Sequence, residues 1–171
     1  MSIRRPWILF LTVLWLAGCG YRPMGAAPAS PQGAPTLAIP MFANRSTEIG
    51  LEAVLANALV HAFNQSKAVK VVSGDRNADL VLEGKVRSVD NASVAYFDVT
   101  RSTVRRITVR VDLELKKGDT GKVLWKDTQV LREDYVVDPN YHIGEATKTE
   151  GLQRGAVSLA RRVLDKVLLV I

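Results

Sequence analysis

The densest group of side chains with binding chemistry lies around residues 101–110, where arginines cluster and a lysine on the next predicted strand lies close enough to join them. The group comprises Arg101, Arg105, Arg106, Arg110 and Lys126. A guanidinium presents a planar fork of donors that fits phosphate oxygens, so this group could hold an anionic ligand. Each residue taken singly is equally well explained as part of a solvated strand face, and only the grouping favours a binding site.

The sequence shows no arrangement of residues that is typical of a catalytic or metal site. His61 lies in a predicted helix and His142 in a predicted loop, and neither has a second histidine or a cysteine at a metal-ligand spacing. A lone histidine also lacks the partner that orients it for acid–base work. Glu133 and Asp134 are neighbours in a predicted strand, so their carboxylates point to opposite faces. The sequence therefore favours a binding protein, without metal or cofactor, over an enzyme.

Cys19 is the only cysteine, and its surroundings indicate a point of attachment. It follows a basic start and an apolar stretch, Trp7 to Leu16, in the order typical of a signal peptide. That stretch is shorter than the roughly 20 apolar residues of a spanning helix, which disfavours a single-pass anchor. Leu16-Ala17-Gly18-Cys19 is similar to the lipobox of bacterial lipoproteins, whose cysteine is lipidated. Gly20 follows in place of aspartate, which departs from the inner-membrane retention signal of enteric bacteria and favours the outer membrane, on its periplasmic side.

Composition divides the chain into three segments. Residues 1–18 are the predicted signal peptide, residues 19–35 a lipidated N-terminus with a Pro/Gly/Ala-rich linker, and residues 36–171 a single domain. Loss of Arg4 and Arg5 with the signal reduces 23 basic residues to 21, against 17 acidic ones, a net charge of +4. This surplus is compatible with an anionic partner such as lipopolysaccharide or phospholipid. Export argues against a nucleic acid.

Two segments have the periodicity of amphipathic helices. In the first, apolar residues recur at every fourth position, namely Leu51, Leu55, Leu59 and Phe63. We expect Ser46 or Thr47 to cap this helix and the helix to end near Gln65. The second helix is predicted from about Gly144 to the C-terminus, with arginines on the face opposite its apolar residues.

Short apolar runs and alternating patterns predict the strands, at residues 36–42, 69–72, 79–89, 107–115 and 122–132. The clearest alternation runs from Ile107 to Leu115, where apolar residues point one way and polar residues the other. Turn residues after it predict a hairpin with the next strand. The order of elements predicts an α+β fold, a two-layer α/β sandwich with two helices on one face of a mostly antiparallel sheet of four to five strands.

Three stretches resemble the LptE (RlpB) family of lipopolysaccharide-assembly outer-membrane lipoproteins. They are Cys19-Gly20-Tyr21, the segment from Ile39 to Glu52 (IPMFANRSTEIGLE) and the segment from Ala78 to Gly84 (ADLVLEG). The resemblance implies a protein that sits inside the outer-membrane barrel LptD, assists its assembly and binds lipopolysaccharide on its way to the outer leaflet. It implies no catalysis, and a monomer in a 1:1 complex with the barrel. The arginine group would then contact the lipid A phosphates.

The same Phe-x-Asn-Arg segment is also similar to small lipoprotein modules of the TolB N-terminal or CsgG-like type. Those modules activate cell-wall synthases or build secretion pores. The Cys-Gly-Tyr start favours the LptE resemblance over this alternative. Turn and cap chemistry alone explains Asn44 and Arg45 in the segment, so neither residue is assigned to a ligand.

Overall fold

Residues 33–74, 77–96 and 102–171 are described by the computed structural model, and they form six strands and two helices. The strands are β1 (Thr36–Ala38), β2 (Ala43–Asn44), β3 (Lys70–Val72), β4 (Leu80–Tyr96), β5 (Ser102–Lys117) and β6 (Val123–Val136). The helices are α1 (Leu51–Ser66) and α2 (Tyr141–Leu168). Within these ranges, neither helix combines the length and apolar character needed to cross a membrane. The predicted signal peptide, Cys19, Arg101 and most of the linker lie outside the described residues.

The strands form one mixed sheet in the order β3-β1-β4-β5-β6. Strands β4, β5 and β6 make a long antiparallel meander, while β1 lies parallel between β3 and β4. Strand β2 follows β1 along the same side of β4, so the sheet is five positions wide. Pro40 lies in the break between them, where its missing N–H costs no ladder hydrogen bond. The α+β fold predicted from the order of elements is confirmed.

The main apolar core lies between the sheet and the two helices, and a smaller cluster contains Ala38, Ala78 and Val81. Helix α1 contributes Leu51, Leu55, Leu59 and Phe63, and β5 contributes Ile107, Val109, Val111, Leu113 and Leu115. Burial of one such side chain stabilises the fold by about 1.5–3 kcal/mol. Helix α2 packs on α1 and β6, closely enough that a Cβ atom at Gly155 would lie 2.7 Å from Leu131 Cγ. The alternation predicted for β5 is confirmed, because its apolar residues face this core.

Helix α1 begins at Leu51, and the prediction that Ser46 or Thr47 caps it is wrong. Gly50 is the cap residue, with φ of +86° and no side-chain hydrogen bond to the helix. The Ser46 hydroxyl is used inside the preceding loop, where it donates to Asn44 Oδ1 at 2.7 Å. The Glu52 carboxylate instead accepts the Gly50 N–H at 3.3 Å. The N-terminus of α1 is therefore capped by a residue of its own first turn.

Asn44 organises this loop. Its amide nitrogen donates to the Glu48 carbonyl and to Glu52 Oε2, each at 2.7 Å. The backbone N–H of Glu52 and the Asn44 amide hold the pKa of Glu52 below its usual value. Lys148 of α2 joins the loop through an ion pair of 2.8 Å with Glu48, and both side chains are largely buried. The Asn-Arg-Ser-Thr-Glu stretch is thus fixed to the second helix as well as to the first.

The linker reaches the sheet at one end, here called the linker end, which contains Pro35, Leu80 and Lys117. The Pro35 carbonyl accepts a hydrogen bond from the Lys70 N–H at 3.0 Å. The Thr36 N–H and hydroxyl both donate to Asp79 Oδ2, at 2.8 and 2.7 Å. These two bonds hold the pKa of Asp79 below its usual value. The first residues of β1 are thereby held on both sides.

The opposite end is here called the strand tip, and it contains residues 92–96, 102–106 and 134–136. Strands β4 and β6 run to Tyr96 and Val136, beyond the ends predicted at residues 89 and 132. Helix α2 begins at Tyr141, ahead of the predicted Gly144, because Asn140 caps it by accepting the His142 N–H at 3.1 Å. From Lys117 to Arg105, β5 spans about 40 Å, which separates the two ends.

Candidate functional site

The face of β4, β5 and β6 that points away from the helices is here called the open face. Its cations and carboxylates alternate between neighbouring strands and form ion pairs of 2.5 to 3.7 Å. The pairs are Arg87–Asp112, Arg106–Asp134, Arg110–Asp90, Lys116–Glu83 and Lys126–Glu114. Three of the predicted binding residues, Arg106, Arg110 and Lys126, are therefore already matched with acids of the same face.

Arg106 forms a bidentate ion pair with Asp134 through its guanidinium. Its Nε donates to Asp134 Oδ1 at 2.7 Å and its Nη2 to Asp134 Oδ2 at 2.8 Å, across the register of β5 and β6. Hydrogen bonding first, then charge, lowers the pKa of Asp134 and raises that of Arg106. A phosphate that binds Arg106 would compete with Asp134 for the same donors.

The structure brings Arg106 and Arg110 onto one face but does not bring Lys126 to them. Arg110 donates to Asp90 and, at 3.3 Å, to the Ser88 hydroxyl. Lys126 lies opposite Glu114, eight register positions from Arg106, or about 27 Å along the strand. It lines a separate charged basin of about 570 Å³ on the open face. The residues of the predicted basic group are therefore spread along the sheet.

Arg105 lies on the other face of the sheet, on the side of Ile107 and Val109. It belongs to the strand, because β5 begins at Ser102. Arg105 is opposite Ser93 and Tyr135 in the register. It is exposed, and within residues 33–74, 77–96 and 102–171 it forms no ion pair. Its guanidinium is free to bind an anion.

Apolar side chains are exposed beside these arginines at the strand tip. Tyr96 is 60% exposed and Val136 57% exposed, and Tyr141 and Ile143 at the start of α2 are exposed as well. A cation beside apolar surface suits a ligand that carries both an anionic group and hydrocarbon. Sequence reasoning missed these residues because it ended β4 and β6 too early. The β-branched and aromatic residues of the Tyr135-Val136 pair were the available signal.

The histidines lie apart from one another. His61 is exposed on α1, and His142, which the sequence placed in a loop, belongs to the first turn of α2 and packs edge-on against Tyr141. In the part of the chain that the structure describes, no three histidine, cysteine or acidic side chains are grouped so that they could hold a metal ion. Asp134 bonds with Arg106 on the open face, while Glu133 lies towards Gly155 of α2, so this pair diverges as predicted.

Strands β3 and β6 are the two edges of the sheet, and side chains of α2 cover part of the β6 edge. The Val137 N–H donates to Thr103, so the carbonyls of Val130 and Val136 point away from β5. Arg162 Nη2 donates to the Val130 carbonyl at 3.2 Å, and the Thr147 hydroxyl donates to the Val136 carbonyl at 2.7 Å. Two acceptors that an added strand would use are therefore already occupied.

A family model identifies the family of this chain, and solved structures share its fold. A model of the LptE lipopolysaccharide-assembly family matches residues 34–167. Rare lipoprotein B from Shewanella oneidensis has a TM-score of 0.56 at 14% identity, covering 78% of this chain and 93% of that one. A Xanthomonas campestris protein has a TM-score of 0.57 at 13% identity, covering 84% and 89%.

A third solved structure with this fold is the PelC dodecamer from Paraburkholderia phytofirmans, with a TM-score of 0.52 at 19% identity, covering 77% of this chain and 86% of that one. At these identities the likeness concerns the fold alone. The sequence matches none of the curated proteins.

Proposed function

From the premise that this chain belongs to the LptE lipopolysaccharide-assembly family, we propose that it is an outer-membrane lipoprotein that assists assembly of, and plugs, the export barrel LptD. It binds lipopolysaccharide during delivery to the outer leaflet. It acts as a monomer in a 1:1 complex with the barrel and catalyses no reaction. Lipid chains on Cys19 hold it on the periplasmic side of the membrane, each buried methylene contributing about 0.8 kcal/mol.

The observation that carries this proposal is the extent of the family match. Residues 34–167 include the whole sheet and almost all of both helices, so the likeness is to a complete domain and not to a short motif. Of the three stretches that resemble the family, the one from Ile39 to Glu52 and the one from Ala78 to Gly84 pack together in the structure, with Phe42 against Gly84. Both stretches lie within the residues that the family model matches.

The two ends of the domain suit a protein that is tethered at one end and binds a ligand at the other. The linker from Cys19 meets the sheet at the linker end, and Arg105 and Arg106 lie at the strand tip, about 40 Å away. Lipid A carries phosphates and acyl chains, and the strand tip offers guanidinium groups beside Tyr96 and Val136. We propose that lipopolysaccharide contacts the tip through Arg105 and Arg106 and also binds Arg101, which lies outside the described residues. Arg110 and Lys126, farther along the open face, take secondary positions.

Co-purification tests the proposal. A tagged full-length chain is extracted from outer membranes in mild detergent, and the proteins and lipopolysaccharide that accompany it are identified and quantified. We expect a lipopolysaccharide-export barrel in a 1:1 ratio. A peptidoglycan synthase, or a large ring of the chain itself, would replace this function with the alternative suggested by CsgG-like modules. The capped edge of β6 supports the monomer, although the fold also occurs in the dodecameric PelC.

A further inference from the structure

The linker end of the domain combines exposed aliphatic side chains with lysines that form no ion pair among the described residues. We propose that this end lies against the phospholipid surface of the membrane, with the aliphatic residues at the level of the upper acyl chains and the lysines at the headgroup phosphates. The inference goes beyond the proposed function, because it involves neither the export barrel nor lipopolysaccharide. It rests on the lipid attachment proposed at Cys19.

The aliphatic part of this surface follows the last turn of α2. The helix ends at Leu168, and the next three residues are apolar although they are exposed. Leu169 is 83% exposed, the largest value among them. Beside them lies a cleft of about 630 Å³, and its apolar lining consists of Pro35, Ala78, Leu80, Leu124, Val170 and Ile171. A contiguous exposed apolar surface marks contact with a protein or a membrane.

Four lysines share this end of the domain. They are Lys67 and Lys70 around the start of β3, Lys117 at the end of β5 and Lys122 just before β6. All four are exposed, and in the part of the chain that the structure describes none of them forms an ion pair, unlike the five cations of the open face. A lysine lays its apolar stem along hydrocarbon while its ammonium group stays in the polar layer, which suits a lipid surface.

The carboxylates of the same end favour phospholipid headgroups over an acidic protein. Asp79 and Asp119 line the cleft, and Asp165 is exposed near the end of α2. Asp79 accepts two hydrogen bonds from Thr36, and Asp119 accepts the Thr120 N–H at 2.6 Å. These carboxylates would repel an acidic protein. A phospholipid such as phosphatidylethanolamine presents an ammonium group beside each phosphate, so a headgroup layer matches both signs of charge.

The linker favours this end over the strand tip, which also exposes apolar side chains. Residues 19–35 connect the proposed lipid site to Thr36, at the linker end. Their Pro/Gly/Ala-rich composition predicts a mean span of roughly 20–25 Å. The strand tip lies about 40 Å farther along the sheet. The tether therefore gives the linker end the higher effective concentration at the bilayer, and weak contacts are then sufficient to hold it there.

Fluorescence quenching measures this contact in the full lipidated chain. The chain is reconstituted in vesicles of phosphatidylethanolamine and phosphatidylglycerol whose acyl chains are brominated near the headgroup. Lipidation occupies the only native thiol, so Leu169→Cys provides a single site for an environment-sensitive dye. We expect quenching at residue 169 to be at least about threefold stronger than in Val136→Cys, whose exposed side chain at the strand tip lies far from the bilayer.

Charge reversal tests the contribution of the lysines. Lys117→Glu combined with Lys122→Glu should reduce quenching at residue 169 at least about twofold, because two charges that attract phosphate become repulsive. Arg132→Glu combined with Arg154→Glu makes the same charge change at exposed positions away from the linker end and should leave quenching unchanged. Circular dichroism of both variants checks that the fold is retained.

Three results would overturn the proposal: no quenching at residue 169, equal quenching at residues 169 and 136, or undiminished quenching in the folded double lysine variant. Flotation with the vesicles tests the premise separately. A chain that does not float has no lipid anchor, and the attachment at Cys19 and the membrane contact then both fail. Because the vesicles contain no barrel and no lipopolysaccharide, none of these results depends on the rest of the proposed function.

Discussion

The aromatic ring of Phe42 lies against the backbone of Gly84 so closely that a Cβ atom at residue 84 would overlap the ring. Phe42 is almost fully buried and precedes β2, while Gly84 lies in β4. The two stretches in which these residues occur are two of the three that resemble the LptE family. Their shared pattern of a phenylalanine in one and a glycine in the other is therefore a packing relationship.

Replacing this glycine should destabilise the domain. Gly84→Ala forces the Phe42 ring or the strand to move, which we expect to lower the free energy of unfolding by about 1–3 kcal/mol. Urea denaturation of the unlipidated domain measures the change. In the Gly84→Ala background, Phe42→Leu should cost less than it does in the wild type, because the smaller side chain relieves the overlap.

Gly144→Ala is the matched control, since a Cβ atom there would meet its nearest neighbours at 3.5 Å or more, an ordinary contact. Its effect on the free energy of unfolding should be small or slightly stabilising, as alanine favours the helix. Strict additivity of the Gly84 and Phe42 substitutions would contradict the proposed overlap.

The stability of the domain should fall in acid partly through Asp112. A hydrogen bond from the Thr128 hydroxyl is the largest effect on the pKa of Asp112, and together with the charge of Arg87 it outweighs desolvation and lowers that pKa. Because the folded pKa lies below the unfolded one, this contribution is present above about pH 4 and is lost as the pH falls through the folded pKa.

Asp112→Asn should therefore lower the Tm at neutral pH and make the Tm depend less on pH below about pH 4 than in the wild type. Asp165→Asn is the control, because Asp165 is exposed and accepts no side-chain hydrogen bond from the described residues. Thermal melts from pH 7 to pH 3 provide the comparison. Parallel pH profiles for the wild type and Asp112→Asn would exclude this role for Asp112.

Uncovering the edge of β6 should promote self-association. Arg162→Ala combined with Thr147→Val removes the two side-chain donors that occupy the Val130 and Val136 carbonyls. An uncovered edge strand is a template for pairing with another copy. We expect concentration-dependent dimers of the double variant in light scattering, while Arg154→Ala, on the same helix, stays monomeric. A strictly monomeric double variant would mean that other features protect the edge.

The strand tip should account for lipopolysaccharide binding. Replacing Arg101, Arg105 and Arg106 together by glutamate should weaken binding at least about tenfold, since each charge-assisted hydrogen bond contributes about 1.5–3 kcal/mol. Lys126→Glu, about 27 Å from Arg106, should have a smaller effect. Binding of labelled lipopolysaccharide and the Tm are both measured, because Arg106 also bonds with Asp134. Unchanged binding by the folded triple variant would move the site elsewhere.

Membrane attachment should depend on Cys19. Cys19→Ala removes the thiol that a lipobox cysteine uses, so we expect an unprocessed or mislocalised precursor that incorporates no fatty acid. Metabolic labelling with a tagged fatty acid, followed by membrane fractionation, measures both properties. Label in the Cys19→Ala chain would show that lipid is attached at another residue.

The sequence predicted the structure best where the pattern of apolar residues lies within a single helix or strand. The alternation from Ile107 to Leu115 predicted which side chains of β5 enter the core, because the period of two is a property of a single strand. The repeat of leucines in α1 predicted its buried face in the same way. The extension of β4 was missed because residues 90–96 are mostly exposed and the pattern fades there. The extension of β6 was missed although Tyr135 is buried beside Gly151 of α2.

Contacts between elements could not be predicted from the sequence. The fork from Arg106 to Asp134 depends on the register of β5 and β6, which the turn after Lys117 sets. The cap of α1 was misassigned because Asn44 competes for the Ser46 hydroxyl, a local arrangement that a general preference for serine at helix starts does not include. The pairing of Lys148 with Glu48 joins residues far apart in the chain.

The position of β1 also bears on how the domain withstands force. This strand is three residues long, yet it is bonded to β3 on one side and to β4 on the other, and Thr36 is fastened to Asp79 at its first residue. Tension applied through Pro35 acts along the strand, so it shears both ladders at once. A strand peeled from an edge would instead lose its bonds in succession. A pull transmitted through the linker is thus distributed over both of these ladders.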